Sequence, residues 1–262
     1  MYFSFLFKIS IITIQSPSPP PFQVPTGSDE MVDHMTRMVA FPRETFWGSI
    51  FDVKSVPDPT NLSMTGAHLH CHTDFSWSET PPGLQLLLCR RFRQAGGAPL
   101  PPANDTSVAA GESIMVDGVA AAERLRTTNP DAFDLLASVR IPFVFRAEDQ
   151  HYRIKAPVIA VDPDGTVSAV RFNQANRGTL DVAPPLVGPM YRALDAFVSI
   201  VRDRESEVRF RLEEGDLLTF NNRRLLHGRT SYDVSAVERM LSGAYVDWEE
   251  YTSCMRVAGL AE

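Results

Sequence analysis

Cysteine is scarce, with three among 262 residues, at positions 71, 89 and 254. Three scattered thiols cannot build a disulfide framework, so the fold must rest on an apolar core, and a reducing compartment is expected. Basic charge is also short. Lys and Arg number 25 against 32 Asp and Glu, leaving a net charge of -7. That balance argues against a general binder of nucleic acid or of anionic membranes, both of which need a basic face. No stretch supplies the roughly 20 apolar residues of a membrane-spanning helix; residues 2–14 (YFSFLFKISIITI) are apolar but too few. This stretch lacks the basic start and small-residue cleavage site of a secretory signal, and with only Lys8 it lacks the arginines of a mitochondrial presequence. A cytoplasmic protein is expected, with the mitochondrion as the alternative. Internal repeats are absent.

What remains is ordinary globular material: 44% apolar and 22% charged residues, enough for one sizeable core. Residues 16–28 (SPSPPPFQVPTGS) are rich in Pro and Ser and read as an extended linker. Residues 1–35 are expected to be a disordered or non-homologous leader, and residues 36–262 the folded domain. Within it, residues 94–111 (QAGGAPLPPANDTSVAAG) lack apolar periodicity and read as a surface insertion.

Strand signals dominate. Residues 157–161 and 166–172 flank Asp162-Pro163-Asp164-Gly165, a hairpin turn sequence. Residues 208–212 and 216–220, separated by Glu214-Gly215, suggest a second pair. Residues 84–89 suit a buried strand and residues 239–245 another. Helices are predicted over 119–127, capped by Asp117, over 131–139, and over 187–202, where Met190, Leu194, Phe197, Val198 and Val201 recur at spacings of three and four. Many short strands with a few flanking helices favour a β-sandwich or jelly-roll core.

The chemistry concentrates at His68-Leu69-His70-Cys71-His72-Thr73-Asp74. On a strand, residues i and i+2 share a face, so His72 and Asp74 can converge on one point. With His227 as third ligand they form a two-His-one-carboxylate facial triad, which leaves coordination positions open and suits Fe(II) oxygenases. The alternation of His68, His70 and His72 also permits a three-His site, although His68 and His70 read more simply as ordinary strand residues. Arg239, twelve positions after His227, offers a planar fork for a carboxylate.

Six blocks in order extend this pattern. They are His72-Thr73-Asp74, the run Pro81 to Cys89, Val116-Asp117-Gly118, Asn129-Pro130-x-Ala132-Phe133, the run Phe220 to Arg229, and Gly243-Ala244-Tyr245-x-Asp247-Trp248. Together they resemble the gamma-butyrobetaine hydroxylase and trimethyllysine dioxygenase family of taurine-dioxygenase-like oxygenases, over about Phe41 to Gly259. The resemblance implies a double-stranded β-helix (jelly-roll) core and an Fe(II) centre on His72, Asp74 and His227. It implies 2-oxoglutarate and O2 as co-substrates, with 2-oxoglutarate bound by Asn61, Leu87 and Arg239. It implies a small trimethylammonium substrate held by Trp47, Phe51, Met64, Asn173 and Tyr245, with gamma-butyrobetaine to carnitine as the leading reaction. Trimethyllysine or another small metabolite, and a truncated non-catalytic metal-binding β-barrel, are the alternatives. A homodimer is left open. Aromatic faces suit a quaternary ammonium because it cannot donate a hydrogen bond. Trp47, Phe51 and Tyr245 are expected to supply three such faces. Three departures stand out: Met64 replaces a family Tyr, Arg223 a frequent Trp, and Asn221 an Asp. The family's small N-terminal zinc-binding domain has no counterpart in these residues.

Overall fold

A computed structural model describes residues 11–14, 29–56, 62–101 and 111–260. Asn61 and residues 102–110 of the expected insertion lie outside them. In chain order the strands are β1 Ile11–Ile14, β2 Ile50–Lys54, β3 Leu69–His72, β4 Leu84–Gln94, β5 Ser113–Asp117, β6 Ile141–Ala147, β7 Gln150–Ala156, β8 Ile159–Val161, β9 Val167–Val170, β10 Glu207–Phe210, β11 Leu217–Asn221, β12 Leu225–Arg229 and β13 Val237–Val246. The helices are α1 Asp29–Val39, α2 Gly118–Thr128, α3 Pro130–Ser138, α4 Pro184–Val201 and α5 Trp248–Val257.

The strands form a five-stranded sheet in the order β1-β11-β4-β13-β2, a four-stranded sheet β10-β5-β12-β3, and the hairpins β6-β7 and β8-β9. All pairings are antiparallel. The first half of β4, residues 84–89, is buried and mostly apolar because both of its faces are covered there. Leu84, Leu86 and Leu88 pack in one cluster with Val32 of α1 and with Ala244 and Val246 of β13. Leu87 and Cys89 alternate with them and join Met115, Leu218, Leu225 and Leu241 in a separate cluster between the sheets. A third cluster joins Ile114, Val116 and Leu226, on the opposite face of the smaller sheet, to helices α2, α3 and α4.

Local signals explain most elements. Asp117 caps α2 by accepting hydrogen bonds from Val119 and Ala120, and Asn129 caps α3. Gly165 turns the β8-β9 hairpin at φ +88°. The hairpin expected between residues 208–212 and 216–220 does not form. β10 pairs with β5 and β11 with β4, so the turn at Gly215 carries the chain from one sheet to the other. Helix α1 runs through position 35 and buries Val32 completely. Among the described residues no helix is long and apolar enough to cross a membrane.

Candidate active site

Strands β12 and β3 are neighbours at the edge of the smaller sheet, and their register sets His227 opposite His72. Gly228 makes this closeness possible: a Cβ there would lie 2.5 Å from the Leu69 carbonyl oxygen. The two imidazoles sit with ring centres 4.5 Å apart. Asp74 is not on the strand. β3 ends at His72, and Asp74 lies in the following turn, so a backbone turn rather than strand alternation brings it round. Its Oδ1 is 3.2 Å from His72 Nε2 and its Oδ2 is 3.7 Å from His227 Nε2. One ligand atom from each residue falls within 4.8 Å of the others. His68 and His70 pair with each other, ring centres 4.6 Å apart, and are exposed; among the described residues they join no metal cluster of three.

The donor set fits a divalent metal. His72 Nδ1 lies 2.8 Å from the His70 carbonyl oxygen, so Nδ1 carries the proton and Nε2 keeps its lone pair for a ligand. Burial opposes ionisation of Asp74, yet His227, His72 and the Tyr245 hydroxyl together hold its carboxyl well below the usual carboxylate range. Burial lowers His227 to about 4, against the pull of Asp74. Burial also opposes the charge on His72, but its bond to Asp74 raises it. Two neutral-capable imidazoles and one anionic oxygen meet in a buried corner, which is the ligand chemistry of a facial triad.

The corner opens into a cavity of about 560 Å³. All three ligands line it, as do Leu87, Arg239, Trp47, Phe51, Met64, Asn173 and Tyr245. Arg239 is 8% exposed and its Nε has no hydrogen-bond partner. Its guanidinium lies 5.5 Å over the Phe92 ring, and burial, then the nearby Arg229, lower its pKa to about 10. It is a buried cation for which no carboxylate partner is seen among the described residues.

The aromatic rings of the cavity are arranged differently from expectation. Phe51 and Tyr245 stack at 4.9 Å and 17°, so each covers a face of the other, and the Tyr245 hydroxyl donates to Asp74 Oδ2 at 2.6 Å. Sequence reading missed Phe75, Trp77 and Phe145, which also line the cavity. Trp77 stacks on Phe145 at 4.9 Å, and Trp47 meets Phe145 edge-on at 5.9 Å. Trp77 was within reach of sequence reasoning, five positions after His72; Phe145 reaches the cavity through β6, which carries no motif. Asn173 Oδ1 accepts from the backbone N–H groups of Ala175 and Asn176, so only its amide N–H groups remain to meet a ligand.

An antiparallel β scaffold that gathers two imidazoles and a carboxylate in the lining of a cavity, with a buried Arg facing the same space, has the donor set of a facial-triad metal site. Comparison with known proteins sharpens this. Residues 26–245 match the family described as taurine catabolism dioxygenase TauD, TfdA family. The chain is 33% identical over 261 residues to gamma-butyrobetaine dioxygenase of Homo sapiens, covering 98% of this chain and 62% of that protein. It is 35% identical over 232 residues to gamma-butyrobetaine dioxygenase of Pseudomonas sp. (strain AK-1), covering 88% and 56%. An asparagine oxygenase solved with Fe(II), 3-hydroxyasparagine and succinate shares the fold at a TM-score of 0.64 and 17% identity, covering 92% of this chain and 75% of that one. The chain belongs to the TauD/TfdA family. It spans less than two thirds of the length of these two dioxygenases.

Proposed function

We propose that this protein is an Fe(II)- and 2-oxoglutarate-dependent dioxygenase that hydroxylates a small trimethylammonium metabolite, with gamma-butyrobetaine as the leading candidate. One observation carries the reading: a His-Asp-His triad, an unpaired buried Arg and an aromatic wall line a single cavity. The two main antiparallel sheets, with an apolar cluster and the cavity between them, support a double-stranded β-helix as the core architecture. Iron held by His72, Asp74 and His227 would couple oxidative decarboxylation of 2-oxoglutarate to hydroxylation of a C–H bond. Arg239 binds the distal carboxylate of the co-substrate, and Leu87 packs along its carbon chain. Asn61, from the family resemblance, completes that end. Trp47, Phe51, Trp77 and Phe145 offer aromatic surface to the quaternary ammonium, and Met64 adds a polarizable thioether where relatives place a ring. Asn173 donates its amide N–H to the substrate carboxylate. Tyr245 steadies Asp74 rather than serving as a freely presented cage wall.

Succinate release, measured with gamma-butyrobetaine, trimethyllysine and other betaines, tests this reading. Stimulation by gamma-butyrobetaine that disappears in His72→Ala is expected. Stimulation by trimethyllysine alone moves the substrate assignment to that branch. Stoichiometric iron without turnover on any betaine indicates a non-catalytic metal-binding barrel.

A further inference from the structure

Asn222 lies one residue beyond β11 and is completely buried. Its side chain reaches across 148 positions of sequence to the backbone of Asp74. Oδ1 accepts the Asp74 backbone N–H at 2.9 Å. Nδ2 donates to the Asp74 carbonyl at 3.1 Å and to the Pro82 carbonyl at 3.4 Å. One amide therefore holds both polar backbone groups of a candidate metal ligand. The next residue, Phe75, has φ +54°, the one positive value outside glycine among the described residues. A bulky side chain disfavours this left-handed conformation, and it persists only where surrounding contacts enforce it.

We propose that Asn222 is a positioning residue that keeps the Asp74–Phe75 turn in its strained form and so aims the Asp74 carboxylate between His72 and His227. This rests on the reading of the triad as a metal site. The task calls for an acceptor and a donor on one short side chain. Asp supplies the acceptor alone, and Ala neither. Tyr245 fixes Oδ2 from the opposite side, so the carboxylate is held at its oxygen and at its backbone. Without Asn222 the turn relaxes, Asp74 leaves the position shared with the imidazoles, and the metal loses a well-placed ligand.

Asn222 also tethers the 81–83 segment, through Pro82 and through its backbone N–H to the Gly83 carbonyl. The test must separate the two roles, and Arg223 provides the control. Its guanidinium holds the same segment through the Pro81 carbonyl, at 3.2 and 3.0 Å, and makes no hydrogen bond to Asp74. Co(II) titration of the full chain, read by affinity and by the visible spectrum, is the assay, alongside thermal melting of the metal-free protein. Asn222→Ala and Asn222→Asp are expected to weaken Co(II) about 10–100-fold and to alter its spectrum, as loss of a ligand's supporting partner does. Arg223→Ala is expected to lower the melting temperature while keeping Co(II) affinity within about twofold of the unsubstituted protein. If Asn222→Ala does not fold, Asn222→Asp decides, because it retains the acceptor and replaces the donated hydrogen bonds with repulsion. Unchanged Co(II) affinity and spectrum in the Asn222 variants, or an equal loss in Arg223→Ala, overturns the proposal. If the unsubstituted chain binds no Co(II), or binds it equally in His72→Ala, the triad reading falls and this inference with it.

Discussion

Arg239 yields the sharpest expectation. The guanidinium is charged at neutral pH, since even its lowered value is about 10, yet it is 8% exposed with Nε unpartnered. Burying a cation without a counter-ion is unfavourable. A ligand carboxylate that reaches it removes that penalty, so the residue should weaken the empty protein and strengthen the loaded one. Arg239→Met keeps the stem beside Phe92 and deletes the charge. Losing one partner of a buried charge pair costs on the order of 2–5 kcal/mol, or ~30- to ~4,000-fold in Kd for 2-oxoglutarate. With a redox-inert metal in the triad and 2-oxoglutarate at 100 times its Kd, the unsubstituted protein should gain about 2.7 kcal/mol. At ~2–4 °C per kcal/mol for a chain of this size, that is a rise of ~5–10 °C in Tm. Arg239→Met at the same concentration should gain less than about 1 kcal/mol. Its metal-free Tm should equal or exceed that of the unsubstituted protein. Differential scanning fluorimetry with and without 2-oxoglutarate reads both quantities. A retained ligand shift refutes the carboxylate-binding role. A metal-free Tm lower by several degrees shows instead that Arg239 is part of the framework.

Three further outcomes follow from the geometry. Tyr245→Phe deletes a hydrogen bond to a charged oxygen, worth ~1.5–3 kcal/mol, and should lower kcat at least ~10-fold while KM for 2-oxoglutarate changes little; steady-state succinate release measures both, and an unchanged kcat contradicts the support assigned to this hydroxyl. Gly228→Ala places a Cβ 2.5 Å from the Leu69 carbonyl oxygen and 2.9 Å from the Cys71 nitrogen, so it should destabilise the chain by ~1–3 kcal/mol and abolish stoichiometric metal binding by separating His227 from His72; retained binding at full stoichiometry would contradict this. Trp77→Leu should raise KM for a trimethylammonium substrate by ~2–30-fold, the range of a cation–π contact, with KM for 2-oxoglutarate unaltered; equal rises in both would remove Trp77 from the substrate wall.

Legibility in the sequence tracked the distance over which each feature is decided. Helix α2 could be read because its cap, Asp117, sits at its own end, and α3 is likewise a local element, capped by Asn129. The β8-β9 hairpin could be read because its turn residues are contiguous. Helix α1 escaped notice behind a Pro- and Ser-rich stretch, although Met31, Val32, Met35 and Val39 pack on the larger sheet. Helix α5 buries none of its residues completely, so it carried little apolar pattern to find. Strands β10 and β11 were paired because they are close in sequence, whereas each found its partner in a different sheet. At the site the triad was visible as residue types, but the reason Asp74 arrives was not. That depends on Asn222, 148 positions away, and on Tyr245, 171 away. The chemistry of metal ligands is confined to few side chains, while the contacts that aim them can come from anywhere.

Strand β3 is an edge member of its sheet, joined among the described residues to β12 alone, through a ladder interrupted between His227 and Arg229. A cation gripped by His72, Asp74 and His227 would therefore act as a clasp on an edge strand whose ladder is irregular. Stripping it should let that edge fray first, with faster amide exchange there than in the interior strands, and should uncover a row of backbone groups ready to pair with another chain. If the triad holds iron as proposed, its supply would then govern how long the protein survives in solution as well as the activity proposed for it.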